Sequence, residues 1–190
     1  MAIVPVAEKM TVEEFIALQL SQPDRWLELI DGEVVVNEPA ALHGHVHTNL
    51  LLALGNWSRA KPGRGHAVLP RDVGIDRRNV FQPDVLWYAE GRLPDPYSPP
   101  PYAMPDIAIE VRSPSTWRYD IGAKKATYER HRLPELWLAD TVASTALIFR
   151  RSRPGAPGFD VAAELEVGDE LTSPLLPGFA LPIAEAFRIP

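Results

Sequence analysis

The sequence predicts an α/β fold, a central mixed β-sheet flanked by helices. Three features of the chain predict it. Short apolar runs with β-branched and aromatic residues recur, as in Val85-Leu86-Trp87-Tyr88, Ile107-Ala108-Ile109-Glu110-Val111 and Leu136-Trp137-Leu138-Ala139, and such runs read as buried strands. Between them, Val46, Leu50, Leu51, Leu54 and Trp57 recur at helical spacing. Two of the strand runs also bring a carboxylate with them, Asp84 and Glu110. Burying such a group is costly unless it is paired or coordinated.

In chain order, Thr11 with Glu14 three residues on forms a capping box and predicts a short helix. Trp26 to Val36 reads as a hairpin turning at Asp31-Gly32. The helix over 43–57 ends by Pro62 and Gly63. Ala67-Val68-Leu69 and Asp72-Val73-Gly74-Ile75 predict short strands before the step into Asp84. Residues 93–102 are proline-rich, which excludes a central strand and predicts a surface loop, either a connector or a flap over a cleft. Arg112-Ser113-Pro114-Ser115-Thr116 is a cap-rich turn in which Ser115 or Thr116 can receive backbone N–H bonds. A helix follows over about 119–131. Leu136 to Asp140 and Ala146 to Arg150 read as a hairpin, Phe159-Asp160-Val161-Ala162 continues the sheet, and Leu175 to Ile183 closes the chain as an edge segment. Without internal repeats or a linker, residues 1–190 are expected to form one domain.

The 190 residues are 46% hydrophobic, enough for a real core. No cysteine is present, which excludes disulfides and thiolate metal sites and is simplest for a cytoplasmic protein. The segment Met1-Ala2-Ile3-Val4-Pro5-Val6 lacks the pattern of a secretory leader, and no run reaches the roughly 20 apolar residues of a membrane span. With 19 basic and 25 acidic residues, the net charge is -6. A basic surface for a polyanion would have to be local, and two clusters exist: Arg59, Lys61 and Arg64, then Arg112, Arg118, Lys124, Lys125, Arg130 and Arg132.

Asp84 and Glu110 on adjacent strands could converge on one cation, because Mg²⁺ takes oxygen ligands in near-octahedral geometry. Ala108 and Glu110 could then face a cleft while Ile107, Ile109 and Val111 face the core. Glu28 stands in the first hairpin, either turned toward that chemistry or on an exposed strand face. His43, His45 and His47 alternate, but the local pattern is helical, so His43 and His47 lie one turn apart and His45 points away. No H-E-x-x-H spacing supports zinc, and His45 and His47 read as surface residues. Ser113 lacks the surroundings of an acyl-transfer nucleophile.

The ordered set Leu27-Glu28-Leu29-Ile30-Asp31-Gly32-Glu33, His43, Gln82-Pro83-Asp84 and Pro105-Asp106-Ile107-Ala108-Ile109-Glu110-Val111-Arg112-Ser113-Pro114 resembles the putative restriction endonuclease family of bacteria. Asp120, Lys124, Tyr128 and Leu133-Pro134-Glu135-Leu136-Trp137-Leu138-Ala139-Asp140 continue the likeness, which covers about residues 10–180. That family is a branch of the PD-(D/E)XK nuclease-like superfamily. The resemblance implies a restriction endonuclease-like core and hydrolysis of phosphodiester bonds with Mg²⁺ or Mn²⁺. It implies Asp84 and Glu110 as metal ligands, with the Val111 backbone carbonyl as a third. The superfamily's lysine two places after the glutamate is replaced by Arg112, which can hold phosphate but cannot accept a proton near neutral pH. The resemblance puts that lysine on the next helix, at Lys124, with Tyr128 steering it and Glu28 and His43 in support. DNA is the implied substrate and a homodimer the expected assembly, its contacts drawn from Tyr97, Tyr102 and residues 179–187. Two other readings stand beside this one: a non-catalytic nucleic-acid-binding or structural protein that kept the fold, and hydrolysis of a non-nucleic phosphate ester.

Overall fold

The computed structural model describes residues 9–22 and 24–189, and the segment Met1 to Val6 lies outside them. Helix α1 (Val12–Ser21) begins at the capping box, where Thr11 Oγ1 accepts from Glu14 N and Glu14 Oε2 accepts from Thr11 N. β1 (Leu27–Ile30) and β2 (Glu33–Val36) form the hairpin. Its turn residues Asp31 and Gly32 have φ of 48° and 78°, the positive pair that a two-residue hairpin turn needs. Helix α2 (Ala41–Arg59) follows, then β3 (His66–Val68), β4 (Val73–Asp76), β5 (Asn79–Phe81) and β6 (Val85–Tyr88). Strand β5 was not anticipated; three residues between two turns carry too short a pattern to read.

β7 (Ile107–Val111) and β8 (Glu135–Asp140) are parallel neighbours. The crossover between them holds α3 (Trp117–Tyr119), a π-turn over Asp120–Lys124, and α4 (Lys125–Arg130). The expected helix over 119–131 is therefore present but not regular. β9 (Thr145–Arg150) and β10 (Val161–Leu165) complete a six-stranded mixed sheet of order β10-β9-β8-β7-β6-β3. A smaller antiparallel sheet has the order β2-β1-β5-β4.

The large sheet is covered on both faces. Val46, Leu50 and Leu54 of α2 pack on Val85, Trp87, Ile107, Ile109 and Val111. On the other face Ala108, Leu136 and Leu138 meet Ile30, Val35 and Phe81 of the small sheet, with Tyr128 between them. Strand alternation thus sends Glu110 into the layer between the two sheets. The same alternation in β1 buries Leu27 and Leu29 against α1 and turns Glu28 and Ile30 toward the large sheet.

Three expectations need correction. The strand expected from Phe159 begins at Val161, and Phe159 instead lies against Phe149 with ring centroids 6.2 Å apart. The closing segment is not an edge of the main sheet. Pro174 and Pro177 remove ladder donors, so only β12 (Leu181–Pro182) is extended, against β11 (Glu170–Leu171), before helix α5 (Ile183–Ala186). Leu176, Phe179 and Ile183 sink into the α2-side core, which removes Phe179 from the expected dimer contacts. In the turn after β7 it is Ser113 Oγ that accepts from Thr116 N, at 3.2 Å, while Ser115 Oγ accepts from the distant Glu38 N. The proline-rich loop is tied at one end to the small sheet, with Tyr102 N donating to Asp72 O and Gly74 N to Tyr102 O. Tyr97 in that loop is 95% exposed. Among the described residues no helix is long and apolar enough to cross a membrane.

Candidate active site

Asp84 stands just before β6, where the antiparallel partner strand β7 ends. Its Oδ2 accepts from the Val111 N–H at 2.7 Å, which fixes the carboxylate. Its Oδ1 lies 3.0 Å from His43 Nε2 on the first turn of α2. His43 is fully buried, yet among the described residues its Nε2 and that of His47 lack a hydrogen-bond partner. The Asp84–His43 contact is close but off the hydrogen-bond direction, as two ligands turned toward a common third point would be. His43, His47 and Asp84 each offer one ligand atom, and the three atoms lie within 4.8 Å of one another. Burial pushes the His47 imidazole below its usual pKa, against the pull of Asp84. A neutral imidazole is the form that binds a metal. Two nitrogens and a carboxylate oxygen, two of them unsatisfied, fit a divalent cation. His47 was read from the sequence as a surface residue, and this corrects it; its one-turn spacing from His43 was the available signal. His45 is exposed, as that spacing requires.

A second cluster fills the layer between the sheets. Lys124, 1% exposed, has its Nζ 2.8 Å from Glu28 Oε1, 2.8 Å from Glu110 Oε1 and 3.1 Å from Asp120 Oδ1. Tyr128 donates to Glu110 Oε1 at 2.9 Å, Gln82 N to Glu28 Oε1 at 2.7 Å, and Thr116 Oγ1 to Asp120 Oδ2 at 3.2 Å. The π-turn places Asp120 and Lys124 on one side of the crossover, and such turns recur at functional sites. Three carboxylates share one ammonium. Burial drives the Glu110 carboxyl well above the usual range; Lys124 opposes this, while Asp120, Glu28 and Asp84 add to it. Burial also raises Glu28 and Asp120, each again opposed by Lys124. For Lys124, burial favours the neutral amine, but the three carboxylates outweigh it and hold the ammonium well above its normal range.

The fold therefore brings Glu28, Glu110, Asp120, Lys124 and Tyr128 together in one buried cluster. Asp84 and His43 form the adjoining group, and Asp84 is near enough to act on the Glu110 charge. Arg112 is engaged elsewhere. Its Nη1 lies 2.9 Å from both Asp140 oxygens, and the guanidinium lies 5.3 Å from the Trp117 ring centroid. An opening of about 320 Å³ lined by Trp26, His47, Leu69, Pro70 and Gln82 includes one member of the metal-ligating group, His47.

A family model, Uma2, described as "Putative restriction endonuclease", matches residues 12–184. The crystal structure of a putative nuclease belonging to DUF820 from Anabaena variabilis is similar over 94% of this chain and 97% of that one, with a TM-score of 0.75 and 18% identity. At that identity the likeness concerns the fold. No curated protein matches the chain.

Proposed function

This chain belongs to the Uma2 family, and from that premise we propose that it is a metal-dependent endonuclease that hydrolyses phosphodiester bonds, with DNA as substrate. The observation that supports the reading best is the convergence of His43, His47 and Asp84 beside a buried carboxylate–lysine cluster. A divalent cation held by Asp84 with the imidazoles, and with Glu110 and the Val111 carbonyl on the neighbouring strand, would neutralise charge on the transferring phosphoryl group and acidify a water. Of Mg²⁺ and Mn²⁺, the nitrogen donors favour Mn²⁺.

The protein's own groups supply the rest. The Val111 N–H holds Asp84 in place for its ligand role. Tyr128 keeps Glu110 oriented. Lys124 remains an ammonium at any working pH and stabilises negative charge that develops beside Glu110. Glu28 and Asp120 position Lys124, and Arg112 contacts phosphate only by exchanging Asp140 for it. A cytoplasmic homodimer with two clefts related by a two-fold axis suits a duplex substrate.

The test is cleavage of varied DNA and RNA with added Mn²⁺ or Mg²⁺, beside calorimetry of Mn²⁺ binding. Asp84→Ala is expected to lose both cleavage and the tight Mn²⁺ isotherm. Unchanged Mn²⁺ affinity in that variant would refute the site. A second reading, nucleic-acid binding without cleavage, draws on the complete engagement of Lys124 and on Arg112 in the usual lysine position. It predicts DNA binding with no metal-dependent products.

A further inference from the structure

At the opposite end of α2 lies an open groove of about 530 Å³ that the metal-ligating group does not use. Arg59, Lys61, Arg64 and His66 line it, with Glu90 the one acidic side chain there. In a chain of net charge -6 this concentration of cations is local and unbalanced. Arg64 is pre-set rather than loose: its Nη1 donates to Trp57 O at 2.9 Å and its guanidinium lies 4.5 Å from the Trp57 ring centroid. Its carbonyl is tied in turn by Trp87 Nε1 at 3.1 Å. Gly65 brings this turn against β6, with φ of +66° and no room for a Cβ, which would fall 2.2 Å from Tyr88 O. Ser58 also lines the groove. It is 6% exposed, and its hydroxyl has no hydrogen-bond partner among the described residues.

The groove is connected to the candidate active site by the fold. Ser58 and His47 are about three helical turns apart, so they share a face of α2 and stand roughly 16 Å from one another along its axis. The edge strand β3 packs beside α2 over this stretch. Its first residue, His66, lines the groove, and Leu69 and Pro70 just after it rim the opening over His47. One seam thus joins the two openings.

We propose that this groove binds phosphates of a nucleic acid strand whose backbone runs along the α2–β3 seam from the opening over His47. The proposal rests on the nuclease reading of that opening. Roughly 16 Å corresponds to about five phosphates of one strand in a duplex, so the groove would hold the backbone several nucleotides away from the scissile bond. Its open form suits a strand that enters and leaves, and the bound-in-place Arg64 lowers the ordering cost of the contact.

Fluorescence anisotropy with labelled single-stranded and duplex DNA, in EDTA so that catalysis plays no part, tests it. Arg59→Glu/Lys61→Glu is expected to weaken binding by about tenfold or more, and to flatten the plot of log affinity against log salt by roughly 2. Arg77→Glu/Arg78→Glu on the β4–β5 turn changes the net charge equally and is expected to change neither. Thermal melts establish that both variants are folded. Equal losses in the two variants, or none in the first, overturn the proposal. So does displacement of the DNA by inorganic phosphate as readily as by unlabelled strand, which identifies a free-anion site. A protein that binds DNA through the groove yet cuts nothing keeps the groove and loses the nuclease reading. One that cuts equally well with Arg59→Glu/Lys61→Glu keeps the nuclease reading and loses the groove.

Discussion

Lys124 is worth more to the fold than a catalytic label conveys. Removing it strands Glu28, Glu110 and Asp120 in the interior with no ammonium near them. Lys124→Met is expected to cost about 3–5 kcal/mol, a fall in Tm of roughly 2–4 °C per kcal/mol. Activity loss in that variant is therefore interpretable only beside a melt. Glu110 acts in the opposite sense. Its carboxyl, raised chiefly by burial despite Lys124, binds a proton more tightly in the native state than in the unfolded chain. Its contribution to stability is therefore full at low pH, below the unfolded value, and is lost as pH rises through the folded one. Glu110→Gln is expected to raise Tm at neutral pH by the equivalent of about 1 kcal/mol, to flatten the dependence of Tm on pH, and to abolish cleavage. A variant that is both less stable at neutral pH and inactive would contradict this account of Glu110.

At the scale of elements, the helix carrying Lys124 and the helix carrying the histidines differ in how much the sequence discloses. The capping box, the Asp31-Gly32 turn and the apolar spacing of α2 are local signals, and each appears where expected. The π-turn has no local signature in Asp120-Ile121-Gly122-Ala123-Lys124; it exists because Asp120 and Lys124 both meet the carboxylate cluster. Tertiary contacts, not propensity, set that geometry. Two glycines test how much of the α2 region is scaffold. Gly44 is exposed in α2, and a Cβ there meets nothing within 4 Å among the described residues. Gly44→Ala is expected to stabilise by about 0.4–1 kcal/mol, read as a higher Tm. Gly65→Ala, which drives a Cβ into Tyr88 O, is expected to lower it.

For the whole molecule, Asp84, Glu110 and Lys124 were legible because each departs from its surroundings: charge in an apolar run, or position in an ordered family pattern. His47 was not, because its partner Asp84 comes from another element; Asp120 stood in the family pattern, but its place among the buried carboxylates around Lys124 appears only in the folded molecule. The proposed homodimer would have a smaller contact surface than the sequence suggested. Phe179 lies in the core, leaving Tyr97 as the exposed aromatic of the proline-rich loop. Light scattering at micromolar concentration is expected to give about twice the chain mass of 21.1 kDa. Tyr97→Ser is expected to shift that mass toward the single chain; a wild type already at the single-chain mass rules the dimer out.

The bond between Glu28 and Lys124 links positions 96 residues apart. During synthesis, the hairpin bearing Glu28 emerges about half a chain before the ammonium that neutralises it. Contacts of such long range form late on a folding route, since loop closure must come first. The cluster is therefore expected to be absent from the folding transition state and to act as a clasp that closes last. In stopped-flow chevrons, Glu28→Gln should alter the unfolding limb and leave the refolding limb nearly unchanged. Until the clasp closes, Glu28 on the hairpin and Lys124 on the crossover remain separated charges in the nascent chain, and under the proposed nuclease function a partly made molecule lacks the assembled cluster.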